Sequence, residues 1–336
     1  MKALFIGGTG TISTAISASL LNQGWELYLL NRGNNNGRIP EGAKILKADI
    51  NDEAFVSSLI KDLNFDVVAD FIAFTTSHIQ RDIRLFTGKT RQFIFISSAS
   101  AYQKPLSDYR INEATPLSNP YWEYSRNKIA CEELLMSEYR NNGFPVTIVR
   151  PSHTYDDRSV PLGVHGNSGS WQVVKRMLSN KPVIIHGDGT SLWTLTHNSD
   201  FAKGFTGLMG NIHAIGEAVN ITSDESLTWN QIYETIAAAI GVKLNAVHIA
   251  SDYLDACGNY DFKGSLTGDK ANTVAFDNSK LKRLVPGFSA AVRFDQGIRI
   301  VLDNVLSHPE LQREDPEFDT WCDKVIANYT ASIKKL

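Results

Sequence analysis

Met1-Lys2-Ala3-Leu4-Phe5-Ile6-Gly7-Gly8-Thr9-Gly10-Thr11-Ile12-Ser13 opens the chain, and its reading decides the fold. A short apolar run ending in a glycine cluster is a buried strand, and the stretch that follows, 11–23, is a helix. Glycines at that junction let the backbone approach a pyrophosphate, while the helix N-terminus offers N–H donors and a positive dipole end. Ser13 stands where a third glycine is usual; it is still small enough for close helix–strand packing. The apolar start has the look of a short signal peptide, but it lacks a cleavage pattern and runs straight into the glycine turn.

Outward from this unit, apolar strands alternate with amphipathic helical stretches. Strands are expected at 2–6, 25–30, 43–46, 66–71, 92–97 and 146–150, with helices at 11–23, 52–62, 77–87 and 121–142. This is the pattern of an α/β fold, a doubly wound, Rossmann-type parallel sheet covered on both faces. Ligands of such sheets bind in the crevice beyond the carboxyl ends of the strands. Gly7, Asn31, Asp49, Phe71, Ser98 and 150–153 all fall at or just past those ends.

After Pro151 the rhythm changes. A loop rich in Asp, Gly, Pro and Ser spans 156–170, followed by a helix at 170–179, a strand at 182–186 and the turn His186-Gly187-Asp188-Gly189. A helix from Asp200 and a strand at 218–222 are expected to return to the main sheet. Thr228 is placed to cap the next helix. The expected division is a dinucleotide-binding domain over 1–155, with returns near 194–222, and a smaller C-terminal α+β substrate lobe from 156–193 and 223–336. Asn34-Asn35-Asn36 reads as a turn, and a long helix closes the chain.

Composition narrows the class. The 336 residues suffice for a full core, 43% of them are hydrophobic, and the net charge is −3. With a pI of about 6.2 there is no basic field to attract nucleic acid or an anionic membrane. No apolar run reaches the roughly 18 residues of a membrane helix. Cys131, Cys257 and Cys322 are far apart and odd in number, which suits reduced thiols in a cytoplasmic protein. His153, His165, His186 and His197 fall on separate elements without metal-ligand spacing.

Tyr124-Ser125-Arg126-Asn127-Lys128 carries the chemistry. Residues four apart share a helix face, and an ammonium beside a phenol favours the phenolate. A Tyr lowered in this way exchanges a proton with a hydroxyl or carbonyl near neutral pH. Upstream, Phe95-Ile96-Ser97-Ser98-Ala99-Ser100 is a strand end that offers hydroxyls to the same edge. At the second strand's end, Asn31 is uncharged and Arg32 is basic, with Arg38 in reach. A basic residue there accommodates the 2′-phosphate of NADP, and NAD remains open if Arg32 only stacks on adenine. Asp49 and Ile50 suit an adenine contact, or Asp49 caps the helix at 52.

Gly7-x-x-Gly10, Asp49, Ser98, Tyr124-x-x-x-Lys128 and Arg150-Pro151 together resemble the extended short-chain dehydrogenase/reductases, and within them the NAD-dependent epimerase/dehydratase group. The resemblance is strong to about residue 155 and looser beyond. It implies a bound nicotinamide cofactor, with Tyr124 as general acid/base, Lys128 on the nicotinamide ribose and Ser98 on the reacting oxygen. The implied cofactor contacts are Gly7, Thr9, Gly10, Thr11, Ile12, Asn31, Arg32, Asp49, Ile50, Phe71, Lys128 and Pro151. Ser100, His153 and Trp193 are assigned to a sugar-like small-molecule substrate. A homodimer through the long helices is a further implication.

Departures from the family pattern matter equally. Ala99 and Ser100 stand where dehydratases carry Asp and Glu, which argues against a sugar 4,6-dehydratase. His153 occupies a position that is commonly Asn, and Trp193 one that is commonly a diphosphate-gripping Arg. An indole there suits stacking on a sugar face, so a typical nucleotide sugar is not the expected substrate. The expected activity is hydride transfer at a hydroxyl or keto group, with epimerase and dehydrogenase left unseparated. The alternatives are a noncatalytic nucleotide- or RNA-binding member, against which the intact Ser98/Tyr124/Lys128 set and acidic pI speak, and a cofactor-binding redox sensor. Tyr121, Trp122 and Trp171 read as packing residues, Lys270 as a solvated loop lysine, and His197 with Asp200 as the turn and cap before a helix.

Overall fold

In a computed structural model, which describes residues 1–34 and 36–334, the glycine-bounded opening run is β1 (Lys2–Ile6), fully in the core from Ala3 onward. Asn35 of the expected Asn34–Asn36 turn and the last two residues lie outside the described residues. Six further strands join β1: β2 (Glu26–Asn31), β3 (Lys44–Lys47), β4 (Val67–Asp70), β5 (Phe93–Ile96), β6 (Val146–Pro151) and β7 (Ala218–Ile221). All pairings are parallel, in the order β7-β6-β5-β4-β1-β2-β3. The order reverses between β1 and β4, so a crevice opens beyond their carboxyl ends.

Helices α1 (Thr11–Asn22), α2 (Glu53–Leu59), α3 (Thr76–Phe86) and α4 (Glu123–Asn142) are the crossovers. The second is shorter than the expected 52–62: Asp52 caps its start through Phe55 N–H, and a turn at Ile60–Leu63 ends it. The returning strand is β7, which pairs with β6 at the sheet edge. Helix α6 (Asn198–Leu208) packs beside α1 and buries Phe201 and Phe205 under the sheet.

The remaining chain forms a second core, with α5 (Trp171–Leu178), α7 (Trp229–Ala239) and the helices Phe294–Ser307 and Pro316–Ile333. Thr228 caps α7 through a reciprocal pair with Gln231. Before α6 the cap is His197, whose ring accepts from Ser199 N–H; Asp200, expected to cap there, instead accepts from Val292 N–H and pairs with Lys203. The reason is register: Asp200 already lies inside the helix, one turn too late to reach its first N–H groups. Among the described residues no helix is long and apolar enough to cross a membrane.

One buried ion pair joins α4 to the sheet. Arg150 on β6 donates through Nε and Nη2 to Glu132 on α4, at 3.0 and 2.5 Å, and both side chains are almost sealed from water. Ser97, just past β5, donates to the same carboxylate. Arg150 Nη1 reaches Tyr102 Oη at 3.1 Å, and that hydroxyl donates to Asn220 on β7 at 2.7 Å. Removing one partner of such a pair leaves an uncompensated buried charge. Glu132→Gln is expected to destabilise the fold by roughly 3–5 kcal/mol; a shift in the urea unfolding midpoint at constant slope measures it, and an unchanged midpoint would remove the pair from the account of α4's position.

Candidate active site

Two cavities open along the carboxyl edge of the sheet. The first, about 300 Å³, is lined by residues that follow four consecutive strand ends: Gly7 after β1, Asn31 and Arg32 at β2, Asp49 and Ile50 after β3, and Ile72 after β4. Thr9 lines it as well. Gly7 has φ of 98°, a left-handed conformation, and a Cβ there would stand 2.7 Å from Ile72 Cγ2. At Gly8 a Cβ would meet Leu29 Cδ2 at 2.5 Å. Gly10 caps α1, its N–H donating to Ser13 Oγ at 2.8 Å, so Ser13 does local work that a third glycine would not. The backbone N–H groups of Thr11 and Ile12 lie in the first turn of that helix. A close-packed glycine cradle at a helix N-terminus fits a dinucleotide's pyrophosphate.

Other expected contacts differ in the structure. Phe71 turns away from the cavity into an aromatic group with Phe5 and Phe205, at 5.1 and 5.7 Å between centroids; Ile72 is the wall at that strand end. Arg38 is held by Asp156 at 2.8 Å, leaving Arg32 as the cation lining the cavity. Asp49 accepts from Asn51 N–H and does not cap α2. Asn31 Oδ1 accepts from Gly33 N–H, while its buried Nδ2 has no acceptor among the described residues.

The second cavity, about 180 Å³, is lined by Ser98, Ser100, Pro151, His153 and Trp193, together with Lys104, His165, Asp269 and Lys270. Three hydroxyls form a chain at its edge: Ser98 Oγ lies 2.8 Å from Ser100 Oγ, which accepts from Ser125 Oγ at 2.8 Å. Ser125 is fully buried next to Tyr124, and only its place inside the Tyr124–Lys128 pentapeptide hinted at it. Asn119 holds the turn by donating to Ser100 O and Gly268 O, at 2.8 and 2.7 Å.

Lys128 joins the ends of β4 and β5 between the two cavities. Its Nζ donates to Ala73 O, beside Ile72, and to Ile96 O, before the Ser97–Ser98 strand end, each at 2.7 Å. The rings of Phe74 and Phe95 flank it at 4.7 Å. Burial pulls its pKa down to about 8, against the field of Cys131, Asp70 and Glu132. The expected depression of Tyr124 is not found. Burial pushes the phenol above its ordinary value, a hydrogen bond with Ser98 opposes that, and Asp269 adds to it. The physical reason is that loss of water outweighs an ammonium 5.8 Å from the ring and already committed to two carbonyls. Tyr124 packs on Trp122 and Phe74 at 4.9 and 6.3 Å, and Trp122 itself fits against Gly264.

Two substrate-side expectations need correction. Trp193 is 5% exposed and stacked on Trp229 at 5.7 Å, so it offers the cavity an edge and not an open stacking face. Its Nε1 donates to His153 Nδ1 at 3.3 Å, and burial pulls His153 down to about 3, so that ring is neutral and accepting. Lys270 is not a solvated loop lysine: it lines the cavity, and burial lowers its pKa. The reason is the π-type helix Lys263–Lys270, whose end is gripped by Trp229 Nε1 and Asn119. Among the described residues no cluster of His, Cys, Asp or Glu is arranged for a metal.

The family model described as "NAD dependent epimerase/dehydratase family" matches residues 3–85 and 84–222. The chain belongs to that family, whose members include epimerases, dehydratases and reductases of the extended short-chain dehydrogenase/reductase type. A 2′-dehydrokanamycin reductase of Streptomyces kanamyceticus is 23% identical over 288 residues, 86% of this chain and 80% of its own. An uncharacterized UDP-glucose epimerase of Bacillus subtilis is 30% identical over 194 residues, 57% and 54% of the two chains. The structure of a Bacillus cereus UDP-glucuronic acid 4-epimerase, in complex with UDP-glucuronic acid and NAD, superposes with a TM-score of 0.71 at 22% identity, covering 91% of this chain and 99% of that one. That likeness shows the shared fold.

The lowered Lys128 pKa predicts a pH signature. Between about 8 and the ordinary 10.5 the unfolded chain binds the proton that the folded chain releases, so this residue adds stability as pH rises through that window. Lys128→Met is expected to remove that contribution. Urea unfolding of both proteins from pH 7.5 to 10.5 measures it: the wild type should gain on the variant as pH rises, and a constant difference would contradict the shift.

Proposed function

We propose that the chain is a nicotinamide-dependent oxidoreductase or epimerase acting at a hydroxyl or keto carbon of a sugar-like small molecule. The observation that carries this reading is the run Ser98–Ser100–Ser125 beside Tyr124, with Lys128 strung between the strand ends of the two cavities. Membership of the family supports it. So do the relatives whose names speak of 2′-dehydrokanamycin and UDP-glucose.

When bound, the nicotinamide supplies or accepts the hydride. The glycine cradle and the start of α1 would hold its pyrophosphate, and Arg32, with no carboxylate at Asn31, favours a 2′-phosphate and hence NADP. The contribution of the chain itself is positional and protic. Ser98 fixes the substrate oxygen. Tyr124 gives or takes the proton at that oxygen, and Ser100 with Ser125 keeps the Ser98 hydroxyl oriented. With its pKa raised by burial, Tyr124 carries its proton at neutral pH, the form that meets a substrate carbonyl. Lys128, its pKa pulled down to about 8 by burial, would hold a cofactor ribose while it bonds the two strand ends.

Tyr124→Phe is expected to lower turnover by roughly 10²–10⁴-fold while leaving NADPH affinity within a few-fold. The assay follows NAD(P)H absorbance over a panel of free and nucleotide-linked sugars, with NADPH binding read by fluorescence. Retained turnover in the variant would remove Tyr124 from its role. Arg32→Ala should weaken NADP roughly tenfold more than NAD; equal losses would contradict the NADP preference. Salt-sensitive RNA binding without cofactor uptake would overturn the enzymatic reading as a whole.

A further inference from the structure

Lys104 and Lys270 both line the second cavity, and neither ammonium has a hydrogen-bond or ion-pair partner among the described residues. Lys104 is only 3% exposed. Its backbone N–H donates to Ser118 O at 2.7 Å, while Lys270's carbonyl accepts from Trp229 Nε1 at 2.9 Å and lies 3.2 Å from His186 Nε2. The two main-chain anchors are therefore fixed, and both side chains are presented to one space. Lys104 is buried and Lys270 half-buried, so two ammonium groups without a protein partner among the described residues face one cavity, which suits it to an anion.

The charge balance points to the ligand. Asp269 is the single carboxylate among the described residues that line the cavity and faces both lysines, while His153 and His165 are held neutral by burial. The lysines thus leave a surplus of positive charge. Burial lowers both lysines, and an arriving anion would reverse that by favouring their charged forms. At about 180 Å³ the cavity is large enough for a single sugar-sized ring.

We propose that the substrate carries one compact anionic group, a carboxylate or a phosphate on a single sugar-sized ring, and that Lys104 and Lys270 bind it. The proposal rests on the oxidoreductase reading of the same site. Asp269 takes the opposite part, accepting from ring hydroxyls or an amine and keeping the two ammonium groups apart.

The test is calorimetric titration of the NADP-loaded protein with D-glucuronate, D-glucose 6-phosphate, D-glucose and UDP-glucose. At least one of the two anionic sugars should bind roughly tenfold or more tightly than glucose, and more tightly than UDP-glucose. Whether glucuronate or the phosphate leads distinguishes the two anion types. Lys270→Met should abolish the advantage and Lys270→Arg should retain most of it, with Lys104→Met agreeing where it folds. Failure of both anions to bind better than glucose, a preference for UDP-glucose, or an advantage that survives Lys270→Met would each overturn the proposal. NADPH uptake is measured separately by fluorescence. Intact uptake beside a failed anion preference contradicts this proposal alone, whereas absent uptake contradicts the reading beneath it.

Discussion

The buried Glu132–Arg150 pair is the constraint on which the site's geometry depends. A helix packed on a sheet by apolar contacts alone can slide by a fraction of a turn at little cost, because such contacts are not directional. A bidentate guanidinium–carboxylate pair is directional, and this one also takes in Ser97, Tyr102 and, through Tyr102, Asn220. It therefore sets α4 against β5, β6 and β7 at once. Tyr124, Ser125 and Lys128 are on that helix, and the hydroxyls they meet are on the strand end that Ser97 anchors.

Lys128 extends the same arrangement toward the first cavity. It bonds the carbonyls at two strand ends, and Asp70 holds the neighbouring turn by accepting from Ile72 and Ala73 N–H at 2.6 and 2.8 Å. Arg81 bonds both Asp70 and Asn51, so the network reaches the cavity wall. The two cavities thus share a polar floor beneath one sheet edge.

Most of the sheet could be read from the chain because each strand is an apolar run ended by a turn, and the glycine opening told which end bore the ligand. The return of 218–222 to the sheet was legible for the same reason. What could not be read depends on contacts distant in sequence. Phe71 sits at a strand end like its neighbours, yet the partners that turn it inward are Phe5 and Phe205. Lys270 looks solvated in a polar stretch until Trp229 and Asn119 fasten the helix that carries it. The direction of the Tyr124 shift is not legible in the sequence, because spacing reports the ammonium's proximity and not the water lost on burial. Lys104 and Asp269 left no local signal at all.

On the proposed reading, this edge holds a nicotinamide dinucleotide as the partner of Tyr124. Native mass spectrometry of the protein, as purified and after addition of NADPH or NADH, addresses it most directly. An adduct of one nicotinamide dinucleotide per chain is expected, with NADPH displacing NADH. A protein that carries neither nucleotide and takes up neither on addition would contradict it.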